Sequence, residues 1–98
     1  MKVDAGVATV SSAGTAVQAL NATNRVKYVK FKALAGNSGL AYVGINNMSA
    51  SIGYELSAGN ELELNFGEFG GSVQASAFYV DAATNSDKVG WIAIFGDG

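Results

Sequence analysis

The sequence predicts an all-β chain, an antiparallel sandwich or barrel of about seven to eight short strands. Three observations carry that prediction. Turn-forming Gly, Asn, Ser, Thr and Asp cluster at 12–14, 21–24, 36–39, 46–48, 57–60, 67–72 and 84–87, at intervals of roughly ten residues. Residues 61–66, ELELNF, alternate apolar and polar side chains with the period of a half-buried strand. Helical periodicity is missing: the best candidate, AGTAVQALNA, is short and contains Thr15 and Val17, which lose rotamer freedom in a helix.

Taken in order, the N-terminal segment has small residues in AGVATVSSAG and the β-branched Val3, Val7 and Val10, so residues 1–10 suit an N-terminal arm or an edge strand. From Arg25 to Leu34 the alternation breaks, since Val26 and Tyr28 share one parity and Val29, Phe31 and Ala33 the other. Two readings are open. A β-bulge near Tyr28 would return all five to one face and set Lys27, Lys30 and Lys32 on the opposite one, whereas a regular strand would need partial cover on both faces. The glycine-containing segments AGNSG and SAGN read as hairpin turns.

Residues 61–66 place Leu62, Leu64 and Phe66 inward and Glu61, Glu63 and Asn65 toward water. The last two strands differ because they are apolar on both sides. In KVGWIAIF, Val89, Trp91, Ala93 and Phe95 oppose Ile92 and Ile94; in QASAFYVDA, Ala75, Ala77 and Tyr79 oppose Phe78 and Val80. A two-layer sandwich hides one face of each sheet, so the second face calls for an arm of the chain or a neighbouring subunit. Trp91, Ile92 and Ile94 are therefore candidate partner-binding residues.

The whole chain, 98 residues, is one domain's worth, and a chain this short often gains stability from disulfides, metals or association. It contains no cysteine and no histidine, which leaves association and predicts neither a metal site nor a cofactor. Six basic against eight acidic residues give a net charge of -2, unlike the basic excess of nucleic-acid binders. No apolar run suggests a membrane span or a secretory leader, so a soluble protein made in the cytoplasm is expected.

Catalytic chemistry is equally sparse. Glu61 and Glu63 lie two apart beside alternating leucines, as on a solvated strand face, and paired glycosidase acids come from separate elements. In DAATNSD, Asp81, Asn85 and Asp87 fit calcium-loop positions one, five and seven, but Ala83, Ser86 and Ile92 fail at three, six and twelve. An Asx-stabilised turn is the simpler reading. The sequons Asn21-Ala22-Thr23 and Asn47-Met48-Ser49 read as chance matches. Arg25, Lys27, Lys30 and Lys32 hold four of the chain's six basic residues, interleaved with Tyr28 and Phe31. They suggest a strand that docks on an acidic surface, or else an edge strand guarded by lysines. A β-sandwich bearing Tyr28, Tyr42, Tyr54 and Trp91 also frames a carbohydrate-binding module, provided the rings are exposed.

Four stretches, SSAGTAVQAL, VKYVKFKALAGNSGLAYVG, GYELSAGNELEL and FYVDAATNSDKVGWIAIFG, resemble in order small β-rich virion proteins of tailed bacteriophages. The resemblance implies a compact β-sandwich or jelly-roll without catalytic residues. It further implies decoration, or cementing, of the outside of the expanded head by trimers or other homo-oligomers bound to the major capsid protein, and hence location on the capsid surface. Another head, tail or fibre component would carry nearly the same features.

Overall fold

The computed structural model describes residues 2–20, 25–45 and 53–96, so the turns expected at 21–24 and 46–48 and both sequons lie outside the described residues. Among the described residues nine antiparallel strands, two of them only two residues long, build two sheets packed face to face. The first sheet runs β1 (Lys2–Thr9), β9 (Lys88–Phe95), β3 (Arg25–Ala33), β6 (Glu61–Asn65), with β7 (Val73–Gln74) pairing the other end of β3 on the β6 side. The second runs β2 (Val17–Gln18), β8 (Phe78–Ala82), β4 (Ala41–Ile45), β5 (Tyr54–Leu56). Single 3-10 turns at Gly67–Phe69 and Ala75–Ala77 flank β7.

Four of the strand pairs, β1 with β9, β2 with β8, β3 with β6 and β4 with β5, nest inside one another like a long hairpin folded across two layers. That nesting makes the sandwich a jelly roll. It also corrects the reading of AGNSG and SAGN as hairpin turns. Residues 34–40 carry the chain from β3 in the first sheet to β4 in the second, and residues 57–60 carry it back from β5 to β6. The local turn is as expected: Asn60 N–H donates to Ser57 C=O at 2.8 Å with Gly59 at φ +87, where any side chain would be strained. Its ends diverge because Gly59 N–H and Asn60 C=O bond to Ala33 at the end of β3, at 2.7 and 3.0 Å.

Alternation decides what fills the space between the sheets. Val26, Val29, Phe31, Ala33, Val89, Ala93 and Phe95 descend from the first sheet onto Ala41, Val43, Leu56, Phe78, Val80 and Ala82 of the second. Phe78 is the aromatic centre, 5.5 Å from the Phe31 ring and 6.1 Å from Phe66. Leu62, Leu64 and Phe66 pack inward, half-buried, as the period-two pattern requires. In β8, Phe78 and Val80 point to the core, but Ala75 and Ala77 belong to a 3-10 turn and not to the strand.

The break in β3 is a bulge. Val26 pairs Phe95 and Tyr28 pairs Ile94, so Lys27 is the extra residue. It returns Val26, Val29, Phe31 and Ala33 to the core but leaves Tyr28 outside with Lys30 and Lys32, a correction to the expectation that Tyr28 turns inward. Residues 2–9 are an edge strand, paired along their length with β9.

Candidate interaction face

Three rungs cross the outer face of the first sheet, because directly paired antiparallel residues share a side. They read Val3–Ile94–Tyr28–Asn65, Ala5–Ile92–Lys30–Glu63 and Val7–Gly90–Lys32–Glu61. The β1 and β9 half of each rung is apolar and the β3 and β6 half is polar. Val3, Val7 and Ile92 are 61%, 56% and 46% exposed. Both sides of β9 are apolar because one packs the core and the other, with Ile92 and Ile94, lies on this open face.

On the polar half the charges are mostly spoken for. Lys30 Nζ lies 2.9 Å from Glu61 Oε1, and Tyr28 donates its hydroxyl to Glu63 Oε2 at 2.5 Å. The hydrogen bond and charge of Glu61 raise the Lys30 pKa, and Lys30 lowers that of Glu61 by the same two effects. Tyr28 is pushed up, chiefly because its proton is held by the Glu63 carboxylate. Lys32, directly opposite Glu61, makes no close ion pair or hydrogen bond among the described residues, but its charge also helps to lower the Glu61 pKa.

The other two basic residues of β3 do structural work. Arg25 donates to Ser72 Oγ at 2.8 Å and to the Ser72 carbonyl at 2.9 Å, tying the loop before β7 to β3. Lys27 runs its methylenes over Gly96, where a Cβ would come within 2.7 Å of Lys27 Cε. Because β3 pairs β9 on one side and β6 with β7 on the other, its lysines guard no edge, which overturns the edge-strand reading.

Trp91 does not share the face of Ile92 and Ile94. It points inward, half-buried, with its indole laid over the N-terminal strand at Gly6; a Cβ there would sit 2.8 Å from the ring. Tyr42 is buried, Trp91 packs inward and the Tyr28 hydroxyl is held by Glu63, so of the four rings proposed for sugar stacking Tyr54 is the most exposed. The four rings therefore do not form one exposed aromatic platform.

Sequence reasoning missed how the DAATNSD carboxylates act. Asp87 accepts Ser38 N–H at 3.0 Å and Gly39 N–H at 2.9 Å, and Asn85 Oδ1 accepts Ala13 N–H at 2.7 Å. Asp81 Oδ1 accepts Gly14 N–H at 3.0 Å and Ala82 N–H at 2.8 Å, while its Oδ2 is buried and unpartnered. These groups organise distant loops and not only their own turn. Among the described residues no three His, Cys, Asp or Glu side chains gather as a metal site would need, and no helix is long and apolar enough to cross a membrane.

The outer face also holds a recess of about 310 Å³ floored by Gly90. Leu34, Ile92, Lys30, Lys32 and Glu61 form its walls. No signal in the sequence marks it, since it depends on which strands flank Gly90. No protein-family model matches the chain, and neither a curated protein nor a solved structure does.

Proposed function

We propose that the chain is a non-enzymatic structural protein of a tailed-bacteriophage virion. In this reading it decorates and stabilises the capsid exterior as a homo-oligomer, with a trimer as the expected form. The observation that carries a binding role is the outer face of the first sheet, where exposed Val3, Val7 and Ile92 adjoin the charged pair of strands β3 and β6. An apolar surface beside charge suits a protein that works by docking. The phage assignment rests on the sequence resemblance alone, and the jelly roll is compatible with it without deciding it, because the same fold also serves lectins and cupins. Stabilisation would follow from mass action: a subunit that binds only the expanded lattice lowers its free energy at every equivalent site.

The test combines sedimentation velocity with cosedimentation against empty expanded and unexpanded heads. Concentration-independent migration at 10.0 kDa would remove the oligomer. Equal or absent binding to both head forms would remove the decoration role.

A further inference from the structure

We propose that the open edge of β1 is an interaction surface for β1 of a second copy of this chain, paired antiparallel about a two-fold axis at Ala5. The first sheets of the two copies then join into one. The inference goes beyond the decoration reading and rests on the backbone of the edge alone. A two-fold contact cannot close a trimer, so it either pairs single chains or links one trimer to another.

Hydrogen-bond parity shows which backbone groups of β1 face outward. Val10 N–H donates to Asp87 C=O at 3.0 Å, continuing the register of β1 with β9, and Leu34 N–H donates to Lys88 C=O at 3.2 Å, continuing that of β3 with β9. Backbone groups along an antiparallel strand turn to alternate sides. The even residues of β9 therefore bond to β3 and the odd ones to β1, where their partners are Lys2, Asp4, Gly6 and Ala8. Val3, Ala5, Val7 and Thr9 thus aim their N–H and C=O groups at the open edge. Asp4 agrees with this assignment, because its Oδ1 accepts the Ala5 N–H at 2.9 Å. No strand pairs this edge among the described residues.

The strand's own sequence selects the occupant. At the other edges β2 has two residues, β5 has three and β6 carries Glu61 and Glu63, whereas β1 has eight residues, no bulge and no proline. Symmetry about Ala5 sets Val3 against Val7 of the copy and Asp4 against Gly6, so apolar meets apolar and each carboxylate meets a residue without a side chain. Symmetry about Gly6 would bring both Trp91 indoles onto one rung, each already filling the space over its own Gly6. A slip of one residue would set free groups against groups bonded to β9. The β6 edge of a copy would set glutamates against the valines. Pairing also has a brake: it displaces Asp4 from the Ala5 N–H and leaves the two Asp4 residues diagonal, roughly 7–8 Å apart.

The experiment is sedimentation equilibrium of the intact chain up to about 1 mM, read together with disulfide formation in single-cysteine variants of this cysteine-free protein. Species at even multiples of the 10.0 kDa chain are expected. Ala5→Pro removes an N–H that faces the edge and not β9, so it should keep the fold, checked by amide spectra, and weaken association about tenfold. If it unfolds, Val3→Lys combined with Val7→Lys, which sets like charges opposite each other, is read in its place. Asp4→Ala should strengthen association about two- to fivefold, and added salt should help the wild type more than this variant. Under oxidation Ala5→Cys should crosslink to its own copy, with the paired Cα atoms about 5.5 Å apart. Val3→Cys should crosslink with Val7→Cys but not with itself, its own copy lying four residues away, roughly 13 Å along the strand. Monomer or trimer alone at every concentration, edge variants that associate like the wild type, or Val3→Cys crosslinking to itself as fast as Ala5→Cys overturns the pairing. No capsid enters these measurements. A chain that pairs yet binds no heads loses only the decoration role, and one that binds heads without even-numbered species loses only the edge pairing.

Discussion

The two halves of the first sheet's outer face share rungs, yet they handle exposure differently. On β3 and β6, Lys30 answers Glu61 and Tyr28 answers Glu63, so that half is largely complete in the isolated chain. On β1 and β9, Val3, Val7 and Ile92 face outward with no covering element among the described residues. Ion pairs at a surface satisfy themselves locally, whereas apolar side chains on an open sheet can be satisfied only by removing water from a neighbour. The difference concentrates the exposed apolar surface on the terminal strands.

Substitutions can break this contrast, beginning beneath both halves. Phe31 lies on the inner rung Gly6–Trp91–Phe31–Leu62, and Phe31→Ala should cost about 3 to 5 kcal/mol in chemical denaturation. A smaller loss shows that the sheets collapse onto the cavity. Next comes Gly6→Val, which forces the Trp91 indole off β1. A loss of about 1 to 3 kcal/mol is expected, with a change in tryptophan fluorescence, and an unaltered spectrum contradicts the contact.

Ile92→Glu reverses the order of effects. The exposed site should change stability by no more than about 0.5 kcal/mol, while self-association or head binding falls at least tenfold if this half is the interface. Unchanged association would shift the interface elsewhere. Under the docking reading, Lys27→Glu, Lys30→Glu, Lys32→Glu together should leave the protein folded but weaken head binding and its response to salt; wild-type occupancy rejects that reading.

Smallest of all is Lys30→Ala, read as a slight drop in Tm near neutral pH. The raised Lys30 pKa and lowered Glu61 pKa confine the pair's contribution to between about pH 5 and pH 10. It fades on acidification as Glu61 protonates and on alkalinisation as Lys30 loses its proton. A Tm difference that persists at roughly pH 2 would assign the effect to packing of the lysine stem.

What could be read from sequence was whatever a single strand encodes. Leu62, Leu64 and Phe66 declare their side by period two, and Ile92 and Ile94 declare a second apolar side in the same way. The parity break at Tyr28 signals the bulge but not which residue is extra; only pairing with Phe95 and Ile94 identifies Lys27. Connections misled for a related reason. A four-residue turn around Gly59 has the same local chemistry whether its strands pair or part, and here the strands go to different sheets. Asp87 reaching Ser38, the indole crossing Gly6 and the recess over Gly90 depend on residues far apart in sequence.

The position of β9 has a kinetic consequence. It lies between β1 and β3, with Lys2 opposite Phe95 and Thr9 opposite Lys88, so the first sheet is split until Lys88–Phe95 arrives. Every rung of that sheet therefore waits on a pairing that closes most of the chain into a loop, the arrangement that puts all-β domains in the millisecond-to-second range of folding times. During that wait Val3, Ala5 and Val7 present the apolar face of an unpaired strand to other chains. Crowded synthesis should accordingly favour strand exchange between molecules, with β9 of one copy completing the sheet of another.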